Sequence, residues 1–186
     1  MHGLTGDDGA LAVRVARRVL ENSIGALCGD LPALPPVFRE KRGVFVTLTR
    51  DGELRGCIGF PYPTLPLDEA LADAAISAAT RDPRFPPVRA PELPLLRIEV
   101  TVLSVPELLT MAPEARPVAV EVGKHGLIVR GYSRSGLLLP QVPVEWGWES
   151  TEFLDHTCMK AGLPAGCWKR KDVEVFTFEG QIFAEE

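Results

Sequence analysis

Cys57 is the residue in this chain with the most chemistry available to it. It lies in ELRGCIGF, residues 53–60, with Arg55 two positions before it and Gly56 and Gly59 around it. A guanidinium beside a thiol favours the thiolate, which is the nucleophilic form. Residues two apart on a strand point to the same face, so Arg55 and Cys57 are expected to be neighbours on one surface. Flanking glycines would let a ligand approach the backbone closely. The competing reading is burial: a small cysteine filling a core, with Arg55 reaching past it to water.

Register separates the two readings. GVFVTLTR and ELRGCIGF read as strands, and the Asp51-Gly52 between them is a strong hairpin signal. A two-residue turn pairs Arg50 with Glu53 and sets Val46 opposite Cys57, an apolar neighbour that favours burial. One extra turn residue would put Thr47 or Phe45 there instead.

Other residues carry lesser chemistry. Lys124 and His125 sit on the tight turn GKHG. Arg84, with Arg81 and Asp82, belongs to the stiff loop RDPRFPPV, which can present charge to a ligand. Gln141 follows the apolar LLLP and could bond a ligand or loop backbone. WGWES reads as an aromatic wall or as a staple to the core. No nearby histidine in sequence serves Cys57 as a base, though folding could bring His125 or His156 to it.

The elements that must position these residues follow from periodicity. TGDDGALAVRVARRVLEN is an amphipathic helix, with Thr5 and Asp8 spaced to start it. LDEALADAAISAAT is an Ala-rich helix presenting Ala70, Leu71, Ala74 and Ala78 on one face. LLRIEVTVLS alternates as a half-buried strand. PVAVEV, GLIVRG and GLLLPQ read as short strands, and VEVFTF as a closing one. ESTEFLDHTCMKAGLP is a helix that Ser150 caps and Gly162 and Pro164 end, with Cys158 on its inner face as a small core residue. Hairpins dominate and strands do not alternate regularly with helices. This predicts an α+β fold with a largely antiparallel sheet, in one domain spanning residues 1–186 with a smaller subdomain.

Composition narrows the function classes. The chain has 186 residues, 46% of them hydrophobic, and a net charge of −5. Lys and Arg are scattered, which points away from nucleic acid. No apolar run is long enough to span a membrane, and the start of the chain lacks a basic leader, so a cytoplasmic protein is expected. Cys28, Cys57, Cys158 and Cys167 include no CxxC pair, which argues against a metal site; with no secretion signal, disulfides are not expected. Nothing in the sequence names a cofactor.

At LRGCIG the chain also resembles the AMMECR family, named after a chromosomal-region candidate gene product. The resemblance covers nearly the whole chain, through GVFVTL…GELRGCIGF, DPRFPPV…EL, IEVTVLS, VGKHGLIV, GLLLPQV and EFLDHTCMKAGLP…W. It implies an α+β fold of two subdomains with a cleft, and marks Leu54, Arg55, Gly56, Cys57, Ile58 and Gly59 as the functional site. It also implies association with Memo-like and radical-SAM proteins. It transfers no catalytic residue. The expected role is therefore a small enzyme or substrate-binding subunit using Cys57 and Arg55, with a small-molecule ligand. The alternatives are a non-catalytic interaction partner in which the hexapeptide is structural, and a nucleic-acid role that the charge disfavours.

Overall fold

The computed structural model describes residues 3–25 and 27–185. Its chain divides into two compact units, one of Met1–Leu103 with Gln181–Glu186, the other of Ser104–Gly180. Helices and antiparallel strands make up both, so the fold is α+β.

The first unit begins with helix α1 (Gly6–Ile24), started by a capping box in which Thr5 and Asp8 satisfy each other's backbone N–H groups. Val15, Ala16, Val19 and Leu20 bury its inner face. Strands β1 (Val44–Arg50) and β2 (Glu53–Phe60) form the expected hairpin, with Arg50 opposite Glu53. Asp51 and Gly52 both take positive φ, 52° and 84°, the backbone that a tight two-residue turn requires. Helix α2 (Leu67–Thr80) follows, and strand β3 (Leu96–Leu103) pairs with β1 on the side away from β2. Val44, Val46 and Leu48 of β1, Ile98 and Val100 of β3, and Ala70, Leu71, Ala74 and Ala78 of α2 meet in one core. The small residues of α2 let its backbone approach the sheet: a Cβ on Gly56 would lie 2.1 Å from the Ala78 carbonyl oxygen. The last residues return to this unit, where Gln181 hydrogen-bonds the backbone of Leu4 and Glu185 binds Arg17 and the Ile98 N–H.

The second unit starts with the short strand β4 (Glu107–Leu108) and a single-turn helix α3 (Arg116–Ala119). This corrects the reading of PVAVEV as a strand. Pro117 fits the first turn of a helix, where a backbone N–H is not needed, and its fixed φ turns the chain there. Strands β5 (His125–Gly131) and β6 (Arg134–Leu138) form a hairpin, followed by helices α4 (Gln141–Trp146) and α5 (Ser150–Lys160). Strand β7 (Glu174–Ala184) has Phe176 opposite both Leu108 of β4 and Ile128 of β5. Glu149, not Ser150, caps α5, exchanging hydrogen bonds with Glu152 three residues on. A carboxylate accepts N–H groups as a hydroxyl does and adds charge that the helix start favours.

Cys158 is fully buried on α5 as expected, but it is disulfide-bonded to Cys167, with Cα atoms 6.0 Å apart. The expectation of no disulfide is therefore corrected. Gly162 and Gly166 take positive φ and fold the chain back beneath the helix, which brings together two cysteines that no short motif links. Asp155 fastens the same turn, accepting from Gly166 N–H and Trp168 Nε1–H, each at 2.7 Å.

Candidate functional site

The hairpin carries one irregularity, and it falls beside the cysteine. Leu48 opposes Gly56 while Thr49 opposes Leu54, which leaves Arg55 as an extra residue on β2. The bulge shifts the pairing by one, so Thr47 rather than Val46 faces Cys57. Thr47 Oγ1 donates to the Cys57 sulfur at 3.3 Å. The thiol is half-buried, between the two environments that the register had left open.

Cys57 directs its own backbone N–H and C=O away from β1. In an antiparallel ladder such a residue belongs to a non-hydrogen-bonded pair, where facing side chains come closest. The loop after α2 takes up both groups. Asp82 Oδ2 accepts the Cys57 N–H at 2.9 Å, and Arg84 Nη2 donates to the Cys57 carbonyl at 3.3 Å. Arg84 also grips Asp82, through Nε at 2.9 Å and Nη2 at 2.7 Å, while the Arg84 N–H donates to Asp82 Oδ1. Pro83, Pro86 and Pro87 stiffen the loop that holds this pair. The Arg84 guanidinium and the hydrogen bonds from Cys57 and Arg84 backbone hold the Asp82 carboxyl well below the usual carboxylate range, against the opposing effect of burial. Arg84 is raised in turn, chiefly by the Asp82 hydrogen bond and to a smaller degree by the field of Cys57.

Arg84 is thus the cation at Cys57, and Arg55 is engaged elsewhere. Arg55 forks onto Glu92, Nε to Oε2 at 3.1 Å and Nη2 to Oε1 at 3.3 Å, and Nη1 donates to the Pro86 carbonyl. These bonds pull the Glu92 carboxyl below its ordinary range. Its hydrogen-bonding fork is occupied by Glu92, and the bulge interrupts the two-residue alternation between Arg55 and Cys57. Together with Arg89 and the prolines, Arg55 and Glu92 line an open cavity of about 520 Å³.

The two glycines serve packing. The space beside Gly56 is filled by the Ala78 carbonyl, and that beside Gly59 by the Val44 carbonyl and the Phe45 ring, where a Cβ would lie 2.3 Å and 2.4 Å away.

Lys124, His125 and Gln141 belong to the second unit. Lys124 pairs with Glu121 at 3.4 Å and Glu179 at 3.5 Å, and its ammonium is raised chiefly by Glu121. His125 Nδ1 accepts the Glu121 N–H at 3.1 Å. Gln141 is exposed at the start of α4. Trp148 stacks on His156 with ring centres 3.7 Å apart, so WGWES is in part a staple, while Trp146 stays 70% exposed. Among the described residues, no group of three His, Cys, Asp or Glu side chains could hold a metal ion, and no helix is long and apolar enough to cross a membrane.

The sequence named Thr47 as one of the residues a shifted register would set opposite Cys57, and Arg84 and Asp82 as charges on a stiff loop, but did not link that loop to Cys57. The signal for Asp82 was its place in a proline-stiffened loop after a buried helix.

A profile of the AMMECR1 family matches residues 13–183. The chain belongs to the AMMECR1 family. A Methanosarcina acetivorans protein is 54% identical over 188 residues, covering 98% of this chain and 94% of its own length. A Thermococcus onnurineus protein is 50% identical, covering 100% and 94%. The crystal structure of an uncharacterized Pyrococcus horikoshii protein is similar at 50% identity and a TM-score of 0.79, covering 98% of this chain and 94% of that one. The LRGCIG stretch of this chain lies in β2 with its bulge, clasped at Cys57 by Asp82 and Arg84.

Proposed function

We propose that this AMMECR1-family chain is a small enzyme or substrate-binding subunit that works through the Cys57 sulfur. The observation that carries the reading is the sulfur's setting. It is half-exposed, takes a hydrogen bond from Thr47, and lies in the field of an Arg84 guanidinium whose side chain is 54% exposed. The Thr47 hydroxyl orients the sulfur, and an exposed cation attracts an anionic substrate. The family resemblance supports action alongside a Memo-like or radical-SAM protein.

Alkylation tests this. Cys28 is the other free cysteine and is exposed, while Cys158 and Cys167 are bonded to each other. Under limiting iodoacetamide, Cys57 is expected to label faster than Cys28 despite poorer access. Equal or slower labelling would remove the nucleophile.

A second reading has its own support. Gly56 and Gly59 are filled by the protein's own atoms, and Arg55 is held by Glu92. Those facts suit a hexapeptide that shapes a surface for a protein partner. A Cys57→Ser variant that folds and keeps its partner while the wild-type thiol shows no selective labelling would favour this reading.

A further inference from the structure

The second unit contains a buried cation that its own carboxylates do not pair. Arg116 opens α3 and is only 5% exposed. Its Nη1 donates to the carbonyl oxygens of Trp168 and Arg170, and its Nε is buried with no acceptor among the described residues. Burial pulls the guanidinium below its ordinary range, with Glu114 opposing through its field. A buried full charge is stabilised by a paired anion far better than by carbonyl dipoles.

Arg116 also lines a cavity of about 740 Å³, a volume suited to a small ligand. Met111 and Leu108 contribute apolar wall, Lys171 a second cation, and Glu114 and Glu174 two acids. The two acids balance two cations, which disfavours a ligand carrying several negative charges. One negative charge suits the unpaired guanidinium, and a hydrocarbon suits the apolar wall.

We infer that this cavity binds a small monocarboxylate with an apolar tail, its carboxylate against the Arg116 guanidinium and its tail over Met111 and Leu108. Calorimetric titration of the full chain with octanoate, butyrate and inorganic phosphate tests it. Octanoate is expected to bind saturably at one site, and each methylene removed weakens binding by up to roughly fourfold. Arg116→Met abolishes binding. Because Arg116 also holds two backbone carbonyls, a second variant stands beside it: Met111→Asp, at a position 37% exposed, keeps the wild-type circular dichroism and weakens octanoate by about tenfold or more. No saturable octanoate binding in the millimolar range, affinity indifferent to tail length, phosphate binding tighter than octanoate, or wild-type affinity in a folded Met111→Asp would each overturn the assignment.

Discussion

The Asp82 carboxylate accepts the backbone N–H of Cys57 at 2.9 Å across 25 residues of sequence. The same carboxylate binds the Arg84 side chain and backbone, so a single buried acid fixes both the reactive-looking residue and the cation nearest to it.

Replacing Asp82 by Ala leaves the Cys57 N–H and the Arg84 fork without their acceptor. Loss of about 2 kcal/mol is expected, measured by urea unfolding. Asp82→Asn keeps the shape and loses the charge, so it is expected to fall between Ala and wild type.

Acid should reveal the same residue. Asp82 has a folded pKa below its ordinary 3.8, so its contribution is fully present above that value and is lost as pH falls through the folded one. Wild-type stability is expected to decline in the window below about pH 4, followed by thermal unfolding across pH. Asp82→Asn, less stable at neutral pH, should show a flatter acid profile. Equal slopes would assign the acid sensitivity to other carboxylates.

Thr47→Val removes the donor to the Cys57 sulfur while conserving shape. Alkylation of Cys57 by iodoacetamide at fixed pH is expected to slow severalfold, with Cys28 unchanged as an internal control. An unchanged ratio would show that the hydroxyl does not activate the sulfur.

Gly56→Ala would set a methyl 2.1 Å from the Ala78 carbonyl oxygen. Either α2 or β2 must shift, at a cost of about 1–3 kcal/mol, seen as a lower urea midpoint. A neutral substitution would indicate a looser α2 contact than the structure shows.

Reduction of the Cys158–Cys167 disulfide removes a cross-link closing a short loop, of sequence separation 9. Loss of about 2–3 kcal/mol is expected from the chain-entropy relation, compared with and without dithiothreitol. Cys158→Ala together with Cys167→Ala should match the reduced wild type and should not respond to the reductant.

Local signals in the sequence carried much of the fold. The Asp51-Gly52 turn, the Thr5 and Asp8 start of α1 and the Ala face of α2 are each fixed by neighbours within four residues, and each appears as read. Four expectations failed where geometry is not local. A period of two cannot reveal an inserted residue, so the sequence could offer Thr47 opposite Cys57 only as an alternative to Val46 and could not place the bulge at Arg55. Arg84 reaches the Cys57 carbonyl from 27 residues away, and no spacing rule identifies that contact over the Arg55 two positions distant. Cys158 and Cys167 meet because two positive-φ glycines reverse the chain between them, not because their spacing forms a motif. Pro117 outweighed the alternating valines around it and made a helical turn of an apparent strand.

One consequence of the loop's grip on Cys57 concerns other copies of this molecule. β2 pairs with β1 on one side, and its opposite side is the end of the strand order. Such an edge offers unsatisfied N–H and C=O groups as a template for a foreign strand. Asp82 and Arg84 occupy those groups at Cys57 with charged side chains, blocking addition at the middle of the strand. The bulge at Arg55 further spoils the edge by bending it. The clasp that positions the thiol therefore also protects against self-association, and chains that lose it would be prone to pair edge to edge before they unfold.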